Sequence, residues 1–277
     1  MSPATIIDDA PAEYDSGKEK AWKPKNYDNI YRGPVTMREA LTNSINVVSV
    51  KILDSIGVDY AIEYAKKLGI SSPLSPNLTL ALGSSSVTPM ELTSAYAVFA
   101  SGGLRTTPFF VTKVVDGEGK TLEEIVPPVP EPSISPETAF VMTNLMESVV
   151  ASGTGQRAKA VGRPVAGKTG TTNDMKDAWF VGYVPQLVAG VWVGFDQERS
   201  LGAGGSGGQA AAPIWTEFMQ RSLAGLPVEP FVVPENVTFA LINPKTGKLV
   251  PEGTAGSVME CFVKGGEPSR YDTDAGR

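Results

Sequence analysis

Gly167-Lys168-Thr169-Gly170-Thr171-Thr172 follows the apolar Pro164-Val165-Ala166 and leads to Ala178-Trp179-Phe180-Val181-Gly182-Tyr183. Three runs, 164–172, 178–184 and 187–195, read as strands because of their Val, Trp, Phe and Tyr content. Pro185-Gln186 between the last two predicts an antiparallel hairpin. A Lys-Thr-Gly triplet at a strand edge puts a cation, hydroxyls and open backbone beside one another. That combination suits a ligand carrying a carboxylate and a carbonyl that becomes an oxyanion. The same triplet is also compatible with an ordinary strand end. Lys245-Thr246-Gly247 is a second copy, and after Asn243-Pro244 it reads simply as a hairpin turn.

Outward from the strands, helical patterns dominate. Thr36-Met37-Arg38-Glu39 is a capping-box sequence opening a helix toward Asn43, and Val47 to Ile56 continues a helical pattern up to Gly57. Asp59 is expected to cap a helix through Leu68. Thr88-Pro89-Met90-Glu91 and Ser135-Pro136 open two more helices. Ala211 to Leu223 reads as another, after the glycine-rich 202–208 stretch, which reads as a flexible loop. Phe109–Val115 and Thr121–Val126 flank a turn at Asp116–Gly119, a plausible hairpin. Four prolines in the six residues 127–132 exclude regular structure there. Residues 1–34 read as an irregular polar surface segment, and the Asp8-Asp9 and Glu123-Glu124 pairs as solvated faces. Residues 226–277 contain a possible hairpin, Thr238–Ile242 with Lys248–Val250, and then a polar tail. The expected class is an α/β mixture of α+β type, an antiparallel sheet flanked by helices. The expected division is a main domain over 1–225 and a C-terminal extension or tail over 226–277.

Composition excludes several chemistries. The 277 residues contain no histidine, which removes Ser-His-Asp and Cys-His catalysis and His-ligated metal. The single cysteine, Cys261, cannot form an internal disulfide and reads as a bystander. No metal site and no cofactor site is expected. A net charge of −6 with dispersed Lys and Arg argues against a nucleic-acid partner. The glycine-rich loop lacks the Gly-Lys-Ser/Thr ending of a phosphate loop. No run approaches the roughly 18 apolar residues of a membrane span, and the first residues are too acidic for a signal peptide. Trp192 and Trp215 read as packing residues.

Upstream of Lys168-Thr169-Gly170 lies Ser44-Ile45-Asn46. Ser-x-Asn followed by Lys-Thr-Gly is two of the three motifs of penicillin-interacting serine enzymes. The surrounding text extends the match: Trp22–Tyr27, Tyr31–Thr36, Arg38–Leu41, Leu80–Ser84, Thr88–Leu92, Gly153-Thr154-Gly155, Asp177–Tyr183 and Trp192–Gly194. Together, roughly over residues 3–225, the chain resembles the transpeptidase domain of class A (bifunctional) penicillin-binding proteins.

The resemblance implies the penicillin-binding transpeptidase / serine β-lactamase-like fold. It also implies a peptidoglycan D,D-transpeptidase that cross-links stem peptides ending in D-Ala-D-Ala through a serine acyl-enzyme, and that binds β-lactam antibiotics. By the same resemblance Ser44, Asn46 and Lys168 are catalytic. Ser44 relays protons, Asn46 holds the substrate amide, and Lys168 hydrogen-bonds Ser44 and supplies positive field. Thr169, Gly170, Thr171 and Thr172 bind substrate, with the Thr171 N–H as half of the oxyanion hole. Full-length relatives are membrane-anchored and work at the extracytoplasmic face of the cytoplasmic membrane.

One motif is missing. No serine in the sequence has a lysine three residues later, and Ser49-Val50-Lys51 has the wrong spacing to share a helix face. The sequence therefore reads as a C-terminal fragment whose nucleophile segment lies outside it. The alternative is a non-catalytic module that binds β-lactams or muropeptides. A β-lactamase relative ranks lower, because no deacylating base is apparent.

Overall fold

The computed structural model describes residues 1–15 and 21–273. In chain order the strands and α-helices are β1 (Ile6–Asp9), β2 (Gly33–Thr36), α1 (Met37–Asn43), α2 (Asn46–Ile56), α3 (Val58–Lys67), α4 (Pro89–Ala100), β3 (Leu104–Arg105), β4 (Lys113–Val115), β5 (Thr121–Glu124), β6 (Glu131–Pro132), α5 (Pro136–Ala151), β7 (Ala166–Thr171), β8 (Ala178–Val184), β9 (Leu187–Val193), α6 (Ala212–Ser222), β10 (Val237–Ile242) and β11 (Val258–Val263). No helix among the described residues is long and apolar enough to cross a membrane.

The central sheet is β7-β8-β9, antiparallel throughout, with β7 at one edge. Strand β8 is apolar on both faces, and the alternation of its side chains sorts them between two cores. Phe180 and Val184 pack with Trp215 and Met219 of α6. The Phe180 and Trp215 ring centroids lie 4.9 Å apart, and the Trp215 indole donates to the Ala189 carbonyl. On the opposite face Tyr183 packs with Met146 of α5, against Tyr96 and Phe99 of α4. The Tyr183 hydroxyl shares a buried hydrogen bond with Thr143. The expected antiparallel sheet flanked by helices is therefore present.

Local signals account for most element boundaries. Thr36 caps α1 by accepting the Glu39 N–H, and Thr88 with Glu91 forms a reciprocal capping box at α4. The Glu91 carboxylate also accepts from the hydroxyls and N–H groups of Ser71 and Ser72, and these bonds hold its carboxyl well below the usual range. The Lys245-Thr246-Gly247 copy is a turn, closed by the Gly247 N–H donating to the Asn243 carbonyl.

Other boundaries differ from expectation. Ser44 interrupts the anticipated helical run in a left-handed conformation (φ 55°, ψ 50°) and separates α1 from α2. Helix α3 begins at Val58, so Asp59 sits in its first turn, favoured by the helix dipole, and not at the cap. Residues 1–34 are not wholly irregular, because β1 pairs with β2. The proline-rich 127–132 stretch, expected to hold no regular structure, ends in the short strand β6, an edge position where Pro132 pairs with Leu104 of β3. Asp9 is fully buried, contrary to the solvated reading of Asp8-Asp9, because Asn26 and the Arg32 N–H satisfy its oxygens. Trp192 is half-exposed, with its indole donating to Asp177.

The C-terminal segment is more structured than the expected polar tail. Leu249 bridges to Ile242, but the registered partner of β10 is β11, within the segment expected as a polar tail. Ala4, Ile242 and Phe262 form one buried cluster that brings the two ends of the described chain together. Arg38 of α1 forms an ion pair with the buried Glu260 of β11 and donates to Asn144 and Ser148 of α5.

Candidate active site

Four segments converge at the outer edge of β7. The first is the α1–α2 corner. Ser44 holds a conformation that costs a non-glycine residue about 1–3 kcal/mol and that persists only when its surroundings enforce it. Here the Ser44 N–H donates to Leu41 O and the Ile45 N–H to Ala40 O. The corner directs the Ser44 side chain toward β7.

The second segment is β7 itself. Register Lys168↔Val181 and Gly170↔Trp179 pairs one edge with β8. The other edge pairs with no strand among the described residues. Every second N–H and C=O on such an edge strand points away from the sheet, free for an extended ligand. Lys168 Nζ donates to Ser44 Oγ at 2.8 Å and to the Thr169 carbonyl at 3.1 Å. Burial pulls the Lys168 ammonium down to about 8. An ammonium only donates, so the Ser44 oxygen accepts from it and keeps its own proton to offer elsewhere.

The third segment is the turn after α5, Gly153-Thr154-Gly155. Thr154 and Thr169 share a 2.6 Å hydroxyl–hydroxyl bond. The turn lies so close to α1 that a Cβ on Gly153 would stand 2.1 Å from the Thr42 carbonyl oxygen. The fourth is the short π-helical segment Gly207–Ala211 that leads into α6. The Gly207 N–H donates to Thr171 Oγ1, and a Cβ on Gly207 would stand 2.3 Å from the Trp179 oxygen and 2.4 Å from the Gly170 oxygen. The glycine-rich stretch, anticipated as a flexible loop, is thus packed against β7 at Gly207, which is buried.

Ser44, Lys168, Thr169 and Thr171 therefore meet around one edge. Asn46 is the first residue of α2, and its side-chain amide donates to the Lys25 carbonyl. Thr172 is engaged elsewhere. Its hydroxyl accepts from the Asp177 N–H at 2.7 Å and its N–H donates to the Asp177 carbonyl, closing the turn into β8. Thr154 and Gly207 were not anticipated as site residues, although Gly153-Thr154-Gly155 was one of the matching segments.

A cation, two hydroxyls and an open strand edge, placed beside a serine in an enforced conformation, have the layout of the penicillin-interacting enzymes. The model of the penicillin-binding protein transpeptidase domain matches residues 1–220. The chain belongs to the penicillin-binding protein transpeptidase family. It is 45% identical over 265 residues to penicillin-binding protein 1A of Aquifex aeolicus, covering 96% of this chain and 36% of that protein. It is 43% identical to penicillin-binding protein 1A of Neisseria lactamica, covering 86% and 31%. The crystal structure of penicillin-binding protein 1A from Haemophilus influenzae superposes with a TM-score of 0.92 at 29% identity, covering 98% of this chain and 46% of that one. The PonA1 protein of Mycobacterium tuberculosis in complex with penicillin V gives 0.73 at 29% identity, covering 83% and 66%. The chain thus spans about a third of the length of its curated penicillin-binding relatives.

Proposed function

We propose that this chain forms the substrate-holding side of a peptidoglycan D,D-transpeptidase site. It receives a stem peptide ending in D-Ala-D-Ala, and β-lactams that imitate that terminus. The supporting observation is the 2.8 Å Lys168–Ser44 contact beside the open edge of β7. The peptide lies along that edge, with its terminal carboxylate against Thr169 and Thr171 in the positive field of Lys168. A serine from a Ser-x-x-Lys segment, which these 277 residues do not contain, attacks the penultimate D-Ala carbonyl. The Thr171 N–H stabilises the oxyanion, and Asn46 holds the substrate amide. The peptide C–N bond breaks as the ester forms, and D-Ala leaves with a proton passed through Ser44. An amine of a second stem peptide then displaces the serine, releasing the cross-linked product. The substrate places this work at the extracytoplasmic face of the cytoplasmic membrane, in a protein anchored there.

The alternative is a non-catalytic β-lactam or muropeptide binding module, which would hold a ligand along the same edge without forming an acyl-enzyme; the missing Ser-x-x-Lys does not by itself separate the two. Intact mass after exposure to benzylpenicillin separates the two. The chain is tested alone and extended at its N-terminus by a segment that carries Ser-x-x-Lys. An adduct only on the extended chain supports the transpeptidase. No adduct on either folded protein supports the binding module.

A further inference from the structure

The Ser44-Ile45-Asn46 corner depends on residues outside the recognised motifs. Helix α2 starts at Asn46, and its cap position is occupied by Ile45, whose side chain has no oxygen to offer. The first N–H groups of a helix have no partner within it. Val47, the second residue of α2, donates its N–H instead to Asn26 Oδ1 at 3.1 Å, a buried bond from 21 residues away in sequence. Asn26 is 5% exposed. Its other end is fully committed, with Nδ2 donating to both oxygens of Asp9 at 2.8 and 3.0 Å and to the Ile30 carbonyl at 2.8 Å. Asp9, at the end of β1, also accepts from the Arg32 N–H at 3.0 Å. Lys25, the neighbour of Asn26, receives the Asn46 side-chain amide. The 25–32 loop therefore grips the corner at two successive residues of α2. It also borders a cavity of about 90 Å³ together with Asn43, Ser44 and Ile45.

We infer that Asn26, oriented by the buried Asp9 carboxylate, is a positioning residue for the transpeptidase site. It supplies the missing cap of α2 and so fixes where Ser44 and Asn46 stand relative to Lys168. This inference rests on the functional reading given above. Geometry supports it in two ways. Ser44 holds a strained backbone conformation, so a rigid start to α2 is needed to keep it there. The Asn26 amide accepts from Val47 with its oxygen and donates to Asp9 with its nitrogen, two roles that neither a carboxylate nor an alkyl side chain fills together. A carboxylate at position 26 would face Asp9 with like charge, and an alanine would leave the Val47 N–H without its cap.

The test compares Asn26→Ala, Asn26→Asp and the swap Asp9→Asn/Asn26→Asp, which re-forms an amide–carboxylate pair in the opposite sense. Two quantities are read. One is hydrogen exchange of the Val47 amide, with Val181 in the centre of β8 reporting global opening. The other is the acylation rate by benzylpenicillin in the chain extended with the Ser-x-x-Lys segment. Asn26→Ala should speed Val47 exchange about tenfold, the loss of one buried hydrogen bond, and Asn26→Asp, which keeps an acceptor for Val47 but repels Asp9, should speed it by less, with Val181 unchanged in both. Each should slow acylation by a similar factor, and the swap should restore much of both. Where a single variant does not fold, a folded swap with near-parental Val47 exchange and acylation carries the inference. Unchanged Val47 exchange in a folded Asn26→Ala chain overturns it, as does unchanged acylation despite faster exchange. An unmodified extended chain that never acylates overturns the functional reading instead, while the Val47 exchange result still reports on the cap.

Discussion

Lys168 donates to Ser44 across 2.8 Å, joining residues 124 positions apart at the meeting point of the α1–α2 corner and the edge of β7. The Lys168 ammonium is largely withdrawn from water at this contact, and that burial pulls its pKa down to about 8.

A pH dependence follows from that lysine. The unfolded chain holds the Lys168 proton to an ordinary value of 10.5, whereas the folded chain releases it near 8. Between these values the unfolded state binds more protons, so this lysine makes stability rise with pH. Below pH 8 the cost of burying the cation is present in full. A carbon-detected NMR titration of Lys168 should show a midpoint near 8. Urea midpoints of the parent should rise from pH 8 to 10 relative to Lys168→Met. A Lys168 midpoint near 10.5 would remove the basis for this prediction.

Thr154 tests the hydroxyl bridge to Thr169. Thr154→Val keeps the shape of the turn and removes the 2.6 Å bond. A bond worth about 1 kcal/mol predicts that benzylpenicillin acylation of the extended chain slows about fivefold. Because the bridge is exposed, thermal unfolding should move little.

Gly207 has no room for a side chain. Gly207→Ala forces a methyl group within 2.3 Å of the Trp179 oxygen and 2.4 Å of the Gly170 oxygen. Overpacking of this kind costs about 1–3 kcal/mol, and here the displaced atoms belong to β7 and β8. Denaturant unfolding should show the loss. Acylation of the extended chain should fall further than for Thr154→Val, because the Gly207 N–H bonds Thr171.

The C-terminal hairpin should prove integral to the fold. Arg38→Ala leaves the buried Glu260 without its cation, a change that costs about 3–5 kcal/mol in comparable buried pairs. Burial pushes the neighbouring Cys261 thiol up to about 12. A thiol reagent should therefore leave the native parent untouched and label Cys261 in step with urea unfolding. Rapid labelling without denaturant would show that β11 does not stay docked.

The parts of this structure that were legible in the sequence are those governed by near neighbours. Thr88 and Glu91 announce α4, and the β8–β9 hairpin follows from Pro185-Gln186 between two apolar runs. Ser44 and Lys168 were recognisable because their motifs are short and local. What escaped depends on distant partners. A glutamate inside Val258–Val263 hides a strand whose middle, Glu260–Phe262, is buried, because Glu260 is neutralised by Arg38, 222 residues away. Asp9 reads as solvated until Asn26 and Arg32 are folded over it. Gly207 carries no sign of its packing, since glycine-rich composition reports a turn and not the atoms that a Cβ would strike.

A crystal structure of the extended chain after reaction with benzylpenicillin shows where the substrate terminus lies. The ligand carboxylate is expected within about 3 Å of the Thr169 and Thr171 hydroxyls, with the ligand lying along the outer edge of β7. A ligand bound away from that edge, with Thr169 and Thr171 uncontacted, would contradict this placement.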